Sequence, residues 1–188
     1  MRIILASKSP RRRELLLAVV KEFEIITAPT DETLPADVHP RQGVEVLAVR
    51  KGRAVAEKYP DAMVISSDTL VELGGVPLGK PCDEADAHRM LRTLSGKGHN
   101  VHTGVAVHYK GRVFSGVDTT EVVFRELTDG EILDYIATGE PMDKAGSYGI
   151  QGLGGKFVTE YRGSYDTVVG LSVDLTRSLM EEACRDEE

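Results

Sequence analysis

Ile3-Ile4-Leu5-Ala6-Ser7-Lys8-Ser9-Pro10-Arg11-Arg12-Arg13-Glu14-Leu15-Leu16-Leu17 reads as a strand, a tight loop and a helix opening. Four apolar residues stop at small hydroxyl residues, Ser9 is a good N-cap, and Pro10 suits the first helical position. Its fixed φ is already helical, and its missing N–H would have no partner there. The three arginines then fall in the first turn, where the positive end of the helix dipole disfavours cations by up to about 1 kcal/mol each. Two readings stay open: the arginines and the hydroxyls of Ser7 and Ser9 converge on a bound anion, or the helix has a solvated basic start.

The chain has 188 residues, enough for one well-buried core, so a single domain of two lobes at most is expected. Apolar content of 41% and charged content of 28% are those of an ordinary globular protein. The net charge of −7 argues against binding polymeric nucleic acid, which needs an excess of Lys and Arg. The start of the chain lacks the apolar core of a signal peptide, and no run approaches the roughly 20 apolar residues of a membrane span. Cys82 and Cys184 are far apart and outside metal-ligand spacing, so neither a disulfide framework nor a structural zinc site is expected. The cytoplasm is the default setting.

Along the chain, Phe23 to Thr27 reads as a short strand, and Pro29, Pro35 and Pro40 mark a loop that holds Glu32. Helical spacing from Val44 predicts a helix ending near Pro60. Lys51 falls on its inward stripe, either snorkelling to solvent or aimed into a cleft. Met63 to Ile65 predicts a buried strand that stops at Ser66, Ser67, Asp68 and Thr69, with strand character resuming at Leu70. An aspartate at the end of a buried strand must be paired, metal-bound or facing a cleft, unless it is a turn or cap residue. A hairpin turns at Gly74 and Gly75 and closes at Leu78 to Pro81. Asp83 caps a helix with Ala87, Met90, Leu91 and Leu94 inward, strands cover His99 to Tyr109 and Arg112 to Arg125, and Thr128 caps a helix through Ala137. Glu140 to Gly155 is a polar, glycine-rich patch suited to unusual backbone or close approach to a ligand. Tyr161 to Val169 reads as a last strand region and Val173 to Ala183 as a last helix, with Arg185 to Glu188 a solvated tail.

The cations Arg11, Arg12, Lys51, Lys80 and Lys144 and the carboxylates Glu32 and Asp68 all lie near expected loops or strand ends. That is an inventory for phosphoryl chemistry: cations neutralise phosphate oxygens while carboxylates hold a divalent metal and a water. There is no Walker loop, no GxGxxG, and no metal-ligand or triad spacing among His88, His99, His102 and His108, which read as surface or strand residues.

The ordered series Ser7 to Arg12 (S-x-S-P-R-R), Glu32, Lys51, Asp68-Thr69, Lys80-Pro81, Leu94-Ser95-Gly96, His99, Thr103-Gly104-Val105, Glu140-Pro141 and Asp143-Lys144-Ala145-Gly146 resembles the Maf family along nearly the whole chain. Tyr148, Ile150-Gln151-Gly152, Gly163, Tyr165, Val168 and Gly170-Leu171 complete it. The sequence departs from that family's usual pattern at Ser66-Ser67, where Gly-Ala is common, and at Ser172, where proline is common. The resemblance implies an α/β fold, an elongated mixed sheet with flanking helices and two lobes around a central cleft, and a homodimer. It also implies hydrolysis of a nucleoside triphosphate to the monophosphate and pyrophosphate; the carboxylate inventory adds the expectation of a divalent cation, Mg²⁺, Mn²⁺ or Co²⁺. Links to removal of non-canonical nucleotides and to cell-division arrest come with the same family.

In that family the aspartate matching Asp68 accepts a proton, and the positions matching Arg11, Thr69 and Gln151 mark the subfamily acting on dTTP and UTP. The expectation is in-line attack of a metal-activated water on the α-phosphorus. Asp68, Glu32, Lys51 and Lys80 are the catalytic set, and Glu32 and Asp68 are the metal ligands. Ser7, Ser9, Arg11, Arg12, Thr69, Lys144 and Gln151 bind substrate, with a buried Gln151 amide reading the base. Two alternatives stand beside it: a pyrophosphatase for 7-methyl-GTP or another modified nucleotide, and a nucleotide-binding regulator of septum formation without turnover.

Overall fold

The computed structural model describes residues 1–185; of the expected tail, Asp186, Glu187 and Glu188 lie outside the described residues. In chain order the elements are β1 (Ile3–Leu5), α1 (Pro10–Leu16), β2 (Glu24–Ile25), α2 (Pro40–Ala56), β3 (Met63–Leu73), β4 (Val76–Leu78), α3 (Glu84–Leu94), β5 (Gly98–Tyr109), β6 (Arg112–Phe124), α4 (Asp129–Ala137), β7 (Val158–Arg162), α5 (Tyr165–Val169) and α6 (Val173–Arg185). Three short 3₁₀ turns lie between α4 and β7. The strands form one mixed sheet in the order β2-β1-β3-β5-β6-β7, with β4 paired to β3. β1 runs parallel to β2 and β3, whereas β4 and β7 run antiparallel to β3 and β6.

The chain divides into two compact units: the first comprises Met1–Thr69, Thr103–Asp118 and the chain from Gly170, the second Leu70–His102 and Thr119–Val169. In the first unit Leu5, Met63, Ile65, Val105, Val107 and Leu171 pack with Leu16 and Leu179, while Ile4, Ala6 and Val64 pack with Val55. Ser9 caps α1 by accepting the Arg12 N–H, and Pro10 opens it, as expected. α2 begins at Pro40 rather than Val44, because His39 caps it by accepting the Arg41 N–H and the proline serves as a helix start instead of a loop mark. α2 lies close on the sheet: a Cβ on Gly52 would sit 2.5 Å from Ser66 Oγ, and one on Gly104 2.6 Å from the Val44 carbonyl oxygen.

In the second unit, Val71, Val101, Val122 and Phe124 from the sheet pack against Leu91 and Leu94 of α3 and Ile132 and Tyr135 of α4. Tyr165–Val169 is a helix, not the end of a strand: the Asp166 carboxylate accepts the Thr167 N–H and the Ser164 hydroxyl, turning the chain despite its β-branched residues. His99 is buried here, with Nε2 2.8 Å from the Tyr148 hydroxyl and its ring edge-on to Phe124.

Burial pushes the His99 imidazole down from its usual 6.5 to about 4. The unfolded chain takes up this proton below about pH 6.5 and the folded chain only near 4, so stability should fall as pH drops through that window. The slope is at most about 1.4 kcal/mol per pH unit. Melting curves from pH 7 to 4.5 check this. His99→Gln keeps a partner for Tyr148 and should show a flatter decline, leaving the part due to His108, which burial also pushes down. Equal slopes would show that His99 is not the responsible group.

Candidate active site

Side chains alternate along β3, so Ser66, Asp68 and Leu70 share one face while Ser67 and Thr69 point to the other. β3 is continuous through Asp68, so the aspartate stands within the strand and not at its end. On the first face the Ser66 hydroxyl donates to the Ala48 carbonyl of α2 at 2.7 Å. Three residues further along α2, Lys51 reaches Asp68: its ammonium lies 2.5 Å from Asp68 Oδ1 and 3.0 Å from Glu32 Oε1. Glu32 sits on the loop before α2, which is tied down by the Arg50 guanidinium donating to the Thr33 carbonyl at 3.0 Å and by an Asp31 turn to the Thr33 N–H. The inward lysine therefore does not snorkel; it joins two carboxylates, and only 16% of its side chain is exposed.

On the other face, Arg12 is the hub. Its Nε donates to the Gly170 carbonyl at 2.8 Å, Nη1 to Ser7 Oγ at 3.4 Å and Nη2 to Thr69 Oγ1 at 3.3 Å. Thr69 Oγ1 is 2.9 Å from Thr103 Oγ1, and the Ser67 hydroxyl donates to Gly170. Burial pushes the Arg12 guanidinium below its usual pKa, while the Asp68 and Glu32 carboxylates pull the other way; a guanidinium keeps its proton regardless. With three of its five donors used inside the protein, Arg12 braces the loop between β1 and α1. Ser7 and Ser9 are committed too, Ser7 Oγ accepting the Ser9 N–H and Ser9 Oγ the Arg12 N–H. Arg11, half-buried beside them, makes no hydrogen bond or ion pair among the described residues, which leaves its charge available to a ligand.

Lys80, Lys144 and Gln151 belong to the second unit. Lys80 is exposed after β4 and unpaired among the described residues. Lys144 donates to the Asp143 carboxylate at 2.7 Å and to the Glu140 carbonyl at 3.0 Å. Gln151 is exposed, which corrects the expectation of a buried amide, and its side chain has no hydrogen-bond partner among the described residues. The sequence reading missed the Gly170 carbonyl and Thr103 as partners of Arg12, Ser67 and Thr69, because contacts across more than thirty residues leave no local pattern. It also left Glu140 without a role, although that residue stood in the quoted motif.

A family model described as Maf-like protein matches residues 2–183. The chain belongs to the Maf family. It is 49% identical over 181 residues to a protein of Thermococcus kodakarensis named dTTP/UTP pyrophosphatase, covering 95% of each chain. A Bacillus cereus protein of the same name is likewise 49% identical over 181 residues, covering 96% of this chain and 95% of that one. Among solved structures, the Staphylococcus aureus Ham1 protein superposes with a TM-score of 0.54 at 16% identity, over 97% of this chain and 99% of its own. Protein VC0702 of Vibrio cholerae gives 0.52 at 14%, over 100% and 98%. At such identities these two speak only to the fold, a mixed α/β sheet with flanking helices.

Proposed function

We propose that this Maf-family chain hydrolyses dTTP and UTP to the nucleoside monophosphate and pyrophosphate. The observation that carries the reading is the joined Lys51, Asp68 and Glu32 in a chain nearly half identical to relatives named for that activity. Asp68 accepts the proton of a water that attacks the α-phosphorus in line, with Lys51 holding the carboxylate in place through its ammonium. Arg11, which makes no ion pair among the described residues, takes up phosphate charge. Arg12 and Thr69 hold the strand and loop that carry this set.

Glu32 and Asp68 suit a divalent cation. Both carboxylates lie beside the Lys51 ammonium, at 3.0 and 2.5 Å, and they are the residues that would hold such an ion. Among the described residues no group of three or more His, Cys, Asp or Glu side chains is placed to hold a metal. When bound, the ion would supply a lowered pKa for the attacking water and charge neutralisation at the phosphate. The same reading includes a homodimer in the cytoplasm; no described helix is long and apolar enough to cross a membrane.

The test is a panel of nucleoside triphosphates with pyrophosphate detection. Release should be greatest for dTTP and UTP with Mg²⁺, Mn²⁺ or Co²⁺ present and should vanish with EDTA. Preference for 7-methyl-GTP would reassign the substrate, and binding without release would point to a regulator.

A further inference from the structure

The segment from Gly149 to Gly155 is wrapped around two side chains. Glu140 Oε1 accepts the Tyr135 hydroxyl at 2.8 Å and the Gly154 N–H at 3.2 Å, and Oε2 accepts the Leu153 N–H at 3.0 Å. The Tyr135 oxygen in turn accepts the Gly149 N–H at 3.2 Å. The glycines mark close approach, not looseness. A Cβ on Gly152 would lie 2.4 Å from Glu140 Oε1, and one on Gly154 2.6 Å from the Tyr135 oxygen. Tyr135 itself is buried on α4 against Phe157. Burial alone would raise the Glu140 pKa, but the Leu153, Tyr135 and Gly154 donors outweigh it and hold the carboxyl below its usual range. Burial and the Glu140 carboxylate push the Tyr135 phenol upward. At neutral pH the pair is thus an anion receiving a hydroxyl proton, and both are saturated by backbone donors on either side of Gln151. Between those anchors the Gln151 amide stands exposed, with no hydrogen-bond partner among the described residues.

We propose that Tyr135 and Glu140 are positioning residues for base selection: they clamp the backbone on both sides of Gln151 and so set where its amide meets the base. This rests on the assignment of Gln151 as the residue that reads the pyrimidine. Uracil and thymine present an N3–H donor beside the O4 acceptor, which a glutamine amide matches in one plane, whereas cytosine reverses that part of the pattern. A backbone free to shift would carry the amide away from the base, so fixing it keeps the amide within reach of the groups it reads.

The experiment measures kcat and KM for UTP and CTP in wild type, Tyr135→Phe, Glu140→Gln, Gln151→Ala and the double variant Glu140→Gln/Gln151→Ala. Melting temperatures confirm folding. Both clamp variants should lower the UTP over CTP ratio by about threefold to tenfold, mainly through a higher KM for UTP. In the Gln151→Ala background, Glu140→Gln should change the ratio no further, because the clamp acts through that amide. A clamp that only supported the fold would lower both substrates together and leave the ratio unmoved. If Gln151→Ala collapses the ratio while neither folded clamp variant does, the clamp is wrong and the base-reading assignment survives. If Gln151→Ala leaves the ratio unchanged, the base-reading assignment fails and the clamp proposal with it. Should Glu140→Gln not fold, Tyr135→Phe, which removes only one hydroxyl, decides alone.

Discussion

Asp68→Asn is expected to lower kcat on the order of a hundredfold or more while leaving the fold intact, the usual scale for removing a positioned acid or base. The substitution keeps the shape of the side chain within β3 and still offers Lys51 an oxygen, so the strand and α2 have no reason to separate. Nor is the lysine left without a counter-charge, because Glu32 remains 3.0 Å from its ammonium. What disappears is the negative charge and the basicity that the water's proton requires. Circular dichroism and a melting curve establish folding, and pyrophosphate release at saturating dTTP gives kcat. Near-normal turnover in the folded variant would make Asp68 a structural partner of Lys51 only.

Lys51→Met removes the cation instead and leaves two carboxylates facing one another. Breaking a fully buried pair costs roughly 3 to 5 kcal/mol. With 16% and 14% of the two side chains exposed, about 2 kcal/mol is the expected loss here. Turnover should fall by about a hundredfold or more, since the carboxylate that takes the proton loses its anchor. A second readout is independent of turnover. The positive charge beside Glu32 and Asp68 is gone in this variant, so Mn²⁺ should raise its melting temperature more than that of wild type. No metal-dependent shift in either protein would remove Glu32 and Asp68 as cation ligands.

The opening strand, loop and helix were legible because each boundary carries its own chemistry: Ser9 and Pro10 start α1 as their side chains dictate. Asp83 and Thr128 did the same for α3 and α4. The continuity of β3 was not legible. Ser66, Ser67 and Thr69 look like a strand ending in a turn, and only distant partners, the Ala48 and Gly170 carbonyls and Thr103, satisfy their hydroxyls inside a sheet. Tyr165 to Val169 failed for the converse reason, since β-branched propensity is a weak preference that the Ser164 and Asp166 side chains override. Within the site, charge and position brought out Glu32 and Asp68 together with five cations, Arg11, Arg12, Lys51, Lys80 and Lys144, and spacing left open whether Lys51 faced solvent or a cleft. They could not say that Arg12 is spent on bracing while Arg11 makes no ion pair among the described residues, because the bracing depends on the Gly170 carbonyl, 158 residues away. Gln151 was placed in the interior on the strength of its expected specificity; the glycines around it are instead packed against Glu140 and Tyr135, which turns its amide outward.

One measurement bears most directly on the proposed reaction: hydrolysis of dTTP by the purified protein in ¹⁸O-labelled water, with both products examined by mass spectrometry. Attack of water on the α-phosphorus puts the label in thymidine monophosphate and leaves pyrophosphate unlabelled, and that is the expected result. Label in pyrophosphate, or release of orthophosphate alone, would contradict it.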